Sequence, residues 1–166
     1  MNRARSLILT ALGLLAYVLP MCWPWMPRLL YNPTASAPRG WYWVMRTHAL
    51  QVGDLAVVRL PPEIASLAAE RRYLPLDFPL LKRVAAIGGQ RVCVADNRLY
   101  IDTTLMATAL RHDAAGRALP SWSGCRPLGH GELLLIGDHA ASFDSRYFGP
   151  VRTSSVEGRA VPVHIQ

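Results

Sequence analysis

Lysine is almost missing from this chain. Of its 18 basic residues, 17 are arginines and only Lys82 is a lysine. Arginine does not release its proton near neutral pH, whereas a desolvated lysine can. Lys82 therefore stands out as an amine available for chemistry, although an arginine bias in composition would also leave one ordinary surface lysine. Charge of either sign is scarce: 17% of residues are charged and 51% are hydrophobic. That balance is apolar for a soluble protein and suggests a membrane contribution. The arginines are scattered without a basic run, which speaks against a nucleic-acid-binding face and for a solvated surface. Three cysteines and five histidines show no ligand spacing, so neither a metal site nor another cofactor is implied. There is no internal repeat.

Residues 6–27 carry no charge at all. As a helix, these 22 residues would span roughly 33 Å, close to the ~30 Å hydrocarbon core of a bilayer. Pro20, Pro24 and Pro27 fall in its last third, where a regular helix ends or kinks, and Trp23, Trp25 and Tyr31 read as an interfacial aromatic belt. Arg3 and Arg5 place the N-terminus in the cytoplasm by the positive-inside rule. The expectation is an N-terminal membrane anchor over 1–28 and an exported domain over 29–166, at a bacterial inner membrane with the domain in the periplasm. A cleavable signal peptide is the rival reading, with Ala35-Ser36-Ala37 as its best small-x-small site.

Beyond residue 40 the pattern is strand-like. Trp41–Arg46 and Leu55–Leu60 are β-rich runs around the turn Val52-Gly53-Asp54. Pro61-Pro62 opens a short helix over Glu63–Arg72. Leu80–Ile87 is an apolar run closed by Gly88-Gly89, and Val92–Val94 with Leu99–Ile101 flank Asp96-Asn97 as a hairpin. Leu133–Ile136 and Val156–Ile165 supply further strands. Residues 103–131, polar and rich in glycine and proline, read as a long excursion with little regular structure. The fold class expected is mostly β, a barrel-like or sandwich body with one N-terminal membrane helix and one short helix. Cys22 is an apolar filler in the anchor. Cys93 and Cys125 bracket the excursion and in an oxidising compartment can pair as a disulfide.

Chemistry concentrates in three places. The first is the stiff loop Asn32-Pro33-Thr34-Ala35-Ser36-Ala37-Pro38-Arg39-Gly40, which can hold one small side chain, Ser36, in the open. The second is Lys82-Arg83-Val84 in an apolar setting. The third is the dense stretch Gly137-Asp138-His139-Ala140-Ala141-Ser142-Phe143-Asp144-Ser145-Arg146-Tyr147-Phe148-Gly149-Pro150-Val151. A serine hydroxyl becomes a nucleophile when a base takes its proton, and a lysine made neutral by burial can be that base.

In order and spacing these three boxes resemble those of the serine–lysine signal peptidases. The likeness is closer still to the conjugative-transfer branch, the TraF-type maturation peptidases, with its Thr34–Gly40 box and its Trp122-Ser123-Gly124-Cys125-Arg126-Pro127-Leu128 stretch. The chain departs from general leader peptidases at Ala37 and His139, and at Ala86–Gln90 after the lysine box. The resemblance implies a signal-peptidase-like body and a membrane-anchored serine endopeptidase with Ser36 as nucleophile and Lys82 as base. It gives Thr34 and the Ser36 N–H as oxyanion hole, Ser142 as the residue orienting the amine, and Asp144 with Arg146 as a bracing pair, with a more direct part for Asp144 as the alternative in the conjugative branch. Thr34 can equally be a turn hydroxyl bonding its own backbone. The implied partner is a precursor with small residues before the cut, a pilin precursor in this branch, cleaved with or without head-to-tail cyclisation. Membrane lipid is the other partner, and nucleic acid is not one. A general leader peptidase and a non-catalytic scaffold of a secretion or pilus apparatus are the alternatives.

Overall fold

The computed structural model describes residue 5 and residues 8–15, 28–47 and 49–165. From residue 28 onward the order is β1 (Arg28–Asn32), β2 (Gly40–Met45), β3 (Leu55–Val58), α1 (Pro62–Glu70), β4 (Leu80–Ile87), β5 (Arg91–Ala95), β6 (Arg98–Ile101), β7 (Thr104–Thr108), β8 (Gly124–Pro127), β9 (Glu132–Ile136), α2 (Ser145–Phe148), β10 (Val151–Arg152) and β11 (Val156–Ile165). The body is mostly β. Seven strands form one sheet in the order β1-β2-β11-β3-β4-β9-β10, and four form a second, β7-β6-β5-β8. Every pairing is antiparallel. The larger sheet stops short of a closed barrel, since β1 and β10 are its edges among the described residues.

Burial follows sequence pattern where that pattern is strong. β3, Leu-Ala-Val-Val, is buried at all four positions, as suits a strand between β11 and β4 and covered on both faces. β2 alternates: Gly40, Tyr42 and Val44 point into the core, while Trp41, Trp43 and Met45 face outward. α1 starts at the proline that can give up its N–H there, and Glu63 occupies its first turn, where an acid favours the helix dipole. Asp96 and Asn97 both adopt positive φ and close the β5–β6 hairpin as a tight two-residue turn.

Two expectations change. Residues 103–131 are not without regular structure: they contain β7 and β8, the two edges of the smaller sheet. These strands bury almost nothing, so no apolar alternation marks them, and backbone pairing holds them instead. The sulfurs of Cys93 and Cys125, directly opposite each other on β5 and β8 with Cα atoms 4.0 Å apart, are bonded. Secondly, Tyr31, expected with Trp23 and Trp25 in an interfacial belt, is a residue of β1 paired with Trp41, and β1 begins at Arg28, the last residue of the segment expected as an anchor. Residues 8–15 are helical and exposed, and among the described residues no helix is long and apolar enough to cross a membrane. Trp23, Trp25, Cys22 and the three prolines of that segment lie outside the described residues.

Candidate active site

The loop between β1 and β2 is shaped by Asn32, the buried last residue of β1. Its Nδ2 donates to the carbonyls of Thr34 (3.0 Å), Ala37 (3.0 Å) and Pro38 (3.2 Å). Its Oδ1 accepts from the Thr34 backbone N–H at 3.2 Å and from the Thr34 hydroxyl at 2.8 Å. Thr34 Oγ1 in turn lies 2.8 Å from Ser36 Oγ. The buried Tyr42 hydroxyl donates to the Pro38 carbonyl, and the Asp138 N–H donates to the Ser36 carbonyl at 2.9 Å. Ser36 itself is half-exposed. Its N–H makes no hydrogen bond among the described residues, so it is available to a developing oxyanion beside it.

Core packing draws the loop to the lysine. Ala37, next after Ser36, is buried in one cluster with Tyr42, Leu55, Val57 and Leu81, and Leu81 precedes Lys82 on β4. Lys82 pairs with Ala56 of β3 across the sheet and is only 4% exposed. Burial pushes its ammonium from 10.5 down to about 8, with the Asp144 charge opposing and the Arg146 charge adding to the fall. None of the ion pairs among the described residues includes Lys82. A buried amine of this kind is neutral in a useful fraction near pH 8 and can accept a proton.

The third box folds around the pair. Asp144 is fully buried. Its carboxylate accepts from Arg146 Nε at 2.8 Å, Arg146 Nη2 at 2.6 Å, the Arg146 N–H at 3.0 Å and the Gly137 N–H at 2.8 Å. Arg146 spends its remaining donors on the carbonyls of His139, Ala140 and Ser142. Such a fork on both carboxylate oxygens is a brace. Gly137 explains itself by space: a methyl group there would stand 2.3 Å from Ser142 Oγ and 3.1 Å from Lys82 Nζ. Both polar atoms thus converge on the same bare backbone.

Ser36, Lys82 and Ser142 open into one cleft of about 640 Å³. Its walls are largely apolar, with Leu30 from β1, Leu74 and Phe78 after α1, and Leu110 and Leu119 from the 109–119 arm. That arm is latched onto the segment after α1. Asp113 accepts from the Tyr73 hydroxyl at 2.5 Å and from Arg117 Nε at 2.7 Å, while Arg71 donates to the Ala118 carbonyl. Leu110 N–H donates to the Tyr147 hydroxyl, and Trp122 Nε1 to the Ser145 carbonyl. Among the described residues no cluster of His, Cys, Asp and Glu could hold a metal ion.

Of the residues given roles, Thr34, Ser36, Lys82 and Ser142 line this cleft, Asp144 and Arg146 bind the backbone beside it, and the Cys93–Cys125 bond lies in the smaller sheet. The sequence reading missed Asn32, the Asp138 N–H, Gly137 and the whole arm. For Asn32 a signal was there: an asparagine two residues before a threonine is the pattern of an Asx turn.

The chain matches the family model described as signal peptidase, peptidase S26, over residues 1–165. It is 36% identical over 145 residues to the plasmid transfer protein TraF of Escherichia coli, covering 80% of each chain. To the conjugal transfer protein TraF of Agrobacterium fabrum (strain C58 / ATCC 33970) it is 38% identical over 143 residues, again 80% of each. Signal peptidase I V of Bacillus subtilis (strain 168) is 29% identical over 90 residues, 48% of this chain and 54% of that one. Among solved structures, a signal peptidase I of Enterococcus faecalis V583 matches 67% of this chain and 96% of its own, with TM-score 0.39 and 22% identity.

Proposed function

The chain belongs to the signal peptidase family, peptidase S26, and from that premise we propose that it is a serine endopeptidase in which Ser36 is the nucleophile and Lys82 the general base. The observation that carries this reading is the buried Lys82 amine, pushed down to about 8 by burial, at the foot of the cleft it shares with Ser36. Neutral Lys82 Nζ takes the Ser36 hydroxyl proton as Oγ attacks the scissile carbonyl. The Ser36 N–H and the Thr34 hydroxyl donate to the oxyanion, each such donor being worth ~2.7–4 kcal/mol in the transition state. The Lys82 ammonium then protonates the leaving amine. The acyl group leaves Ser36 when water, or another amine, attacks it with Lys82 again as base. Ser142 holds the Lys82 amine in place; Asp144 and Arg146 brace the strand-to-helix turn around it.

The substrate proposed is the precursor of a conjugative pilin, with small residues at the first and third positions before the cut. Its support is the likeness to two conjugative transfer proteins over four-fifths of the chain. Residues 1–28 are proposed to anchor the enzyme in the inner membrane, with 29–166 as the periplasmic catalytic domain. The partial likeness to a signal peptidase I favours a general leader peptidase as the second reading, which complementation of a conditional leader-peptidase strain would separate.

Ser36→Ala and Lys82→Ala are each expected to lower precursor cleavage by at least ~10³-fold while the protein stays folded. Lys82→Arg should be as inactive, since a guanidinium cannot act as a base. Wild-type turnover by Lys82→Arg overturns the mechanism. The mass of the wild-type product reports its fate, because a cyclic pilin lacks the one water that a linear product retains.

A further inference from the structure

The side chain of Asn32 makes five hydrogen bonds inside the nucleophile loop and is 6% exposed. Its orientation is fixed by its surroundings. Three carbonyls crowd one end and a backbone N–H faces the other, so the amide nitrogen must face the carbonyls and the oxygen the N–H. An amide oxygen has no proton to give. The Thr34 hydroxyl, 2.8 Å away, must therefore donate its single proton to Asn32. Having done so, Thr34 Oγ1 can only accept from Ser36 Oγ, its other neighbour at 2.8 Å. The proton direction runs from Ser36 to Thr34 to Asn32, away from Lys82.

We propose that Asn32 is the positioning residue of the nucleophile: it sets the loop that carries Ser36, and by holding the Thr34 proton it keeps Ser36 at rest as a donor to Thr34. This rests on the Ser36/Lys82 reading above and adds the step by which the resting site becomes the reacting one. When a substrate carbonyl enters, the Thr34 hydroxyl turns its proton from Asn32 Oδ1 to the developing oxyanion. Ser36 loses its acceptor in the same movement, and its proton passes to Lys82 Nζ as Oγ bonds to the carbonyl carbon. No bond changes at Asn32 beyond the loss of one hydrogen bond, and its contact with the Thr34 N–H remains. The arrangement couples oxyanion stabilisation to release of the nucleophile's proton. It also gives Thr34 a partner that is not its own backbone.

The test uses the full chain in detergent micelles and an internally quenched peptide with alanine at the first and third positions before the cleaved bond. Four proteins form the cycle: wild type, Asn32→Ala, Thr34→Val and the double variant. Asn32→Ala is expected to lower kcat by ~10-fold or more with KM within about threefold, because a positioning residue acts on the reacting geometry. In the Thr34→Val background the same change should cost at least about fivefold less, because the proton it would have held is gone. Losses that simply multiply, or a kcat for Asn32→Ala within about twofold of wild type, overturn the proposal. If Asn32→Ala loses its cooperative melt, Asn32→Leu, of similar size and without an acceptor for the Thr34 hydroxyl, takes its place under the same criteria. Ser36→Ala is run alongside: cleavage retained there sinks the peptidase reading itself, whereas a dead Ser36→Ala with an additive cycle sinks only the role of Asn32.

Discussion

A lysine on a covered strand is a liability to the fold, and one that the proposed chemistry requires. Unfolded, the Lys82 amine holds its proton up to 10.5; folded, burial first and foremost brings it down to about 8. Between those values the unfolded chain binds more protons than the folded one, so the contribution of Lys82 to stability rises with pH across that window and is lowest below pH 8. The full span corresponds to a cost on the order of 3 kcal/mol at neutral pH. Lys82→Met keeps the apolar stem and removes the titration. It should melt higher than wild type at about pH 6.5, with the advantage shrinking toward about pH 9.5. Calorimetric melts of both proteins across that range check this, and a pH-independent difference would mean the amine is solvated. Lys82 stood out as the single lysine, and Ser36 only because the Lys82 box and the 137–151 box follow its loop in order. Asn32 left only a local trace, its Asx-turn spacing to Thr34, because no composition or periodicity reports the five bonds its amide makes in the loop. Gly137 was illegible for a related reason: only the folded backbone shows that Ser142 and Lys82 need the room.

At the scale of elements, sequence pattern located what buries apolar surface and little else. β4 falls where its apolar run places it, and β3 and β9 follow theirs closely, because burial on a sheet imposes its own pattern; β11 also falls where expected, although half of it is exposed. β1, β7 and β8 lie at sheet edges with mostly exposed side chains and leave no such trace. The arm at 109–119 is the extreme case: it becomes a wall of the cleft through polar latches that join residues far apart in the chain. Its centre is Asp113, whose carboxyl is held below the usual carboxylate range first by the Tyr73 hydroxyl and then by Arg117 and the Ala115 N–H. A depressed carboxyl contributes its stabilisation above the unfolded value and loses it only as pH falls through the folded one, so the latch does not vary between pH 5 and 8. Tyr73→Phe removes its leading bond without emptying the aromatic cluster, where the ring packs 5.2 Å from Phe143. Amide exchange in 109–119 should accelerate by ~10-fold or more while β3, β4 and β9 keep their protection. Unchanged exchange in the arm would mean that the Arg71 and Arg117 contacts hold it alone.

Across the whole molecule, the uncharged N-terminal run, an outward aromatic face and the Ser36 loop are joined by very little chain. Leu29 and Tyr31 of β1 lie opposite Trp43 and Trp41 of β2, all four are exposed, and Tyr31 packs on Trp41 with ring centroids 5.0 Å apart. The same hairpin carries Ser36 at its tip, eight residues beyond Arg28. With residues 1–28 as the proposed anchor, this shortness keeps the cleft at the height where a membrane-held precursor presents its cut site, and a tether of that kind acts by raising effective concentration. The consequence separates positioning from chemistry. Inserting about ten Gly/Ser residues between Pro27 and Arg28 lets the catalytic domain drift from the bilayer by a coil length of roughly 15–20 Å. Cleavage of a membrane-embedded precursor in reconstituted vesicles should then fall by ~10-fold or more, while kcat/KM on a soluble peptide stays within about twofold. Equal losses on both substrates would place the damage in the fold of β1. Equal retention would mean that the active site finds its substrate without help from the anchor.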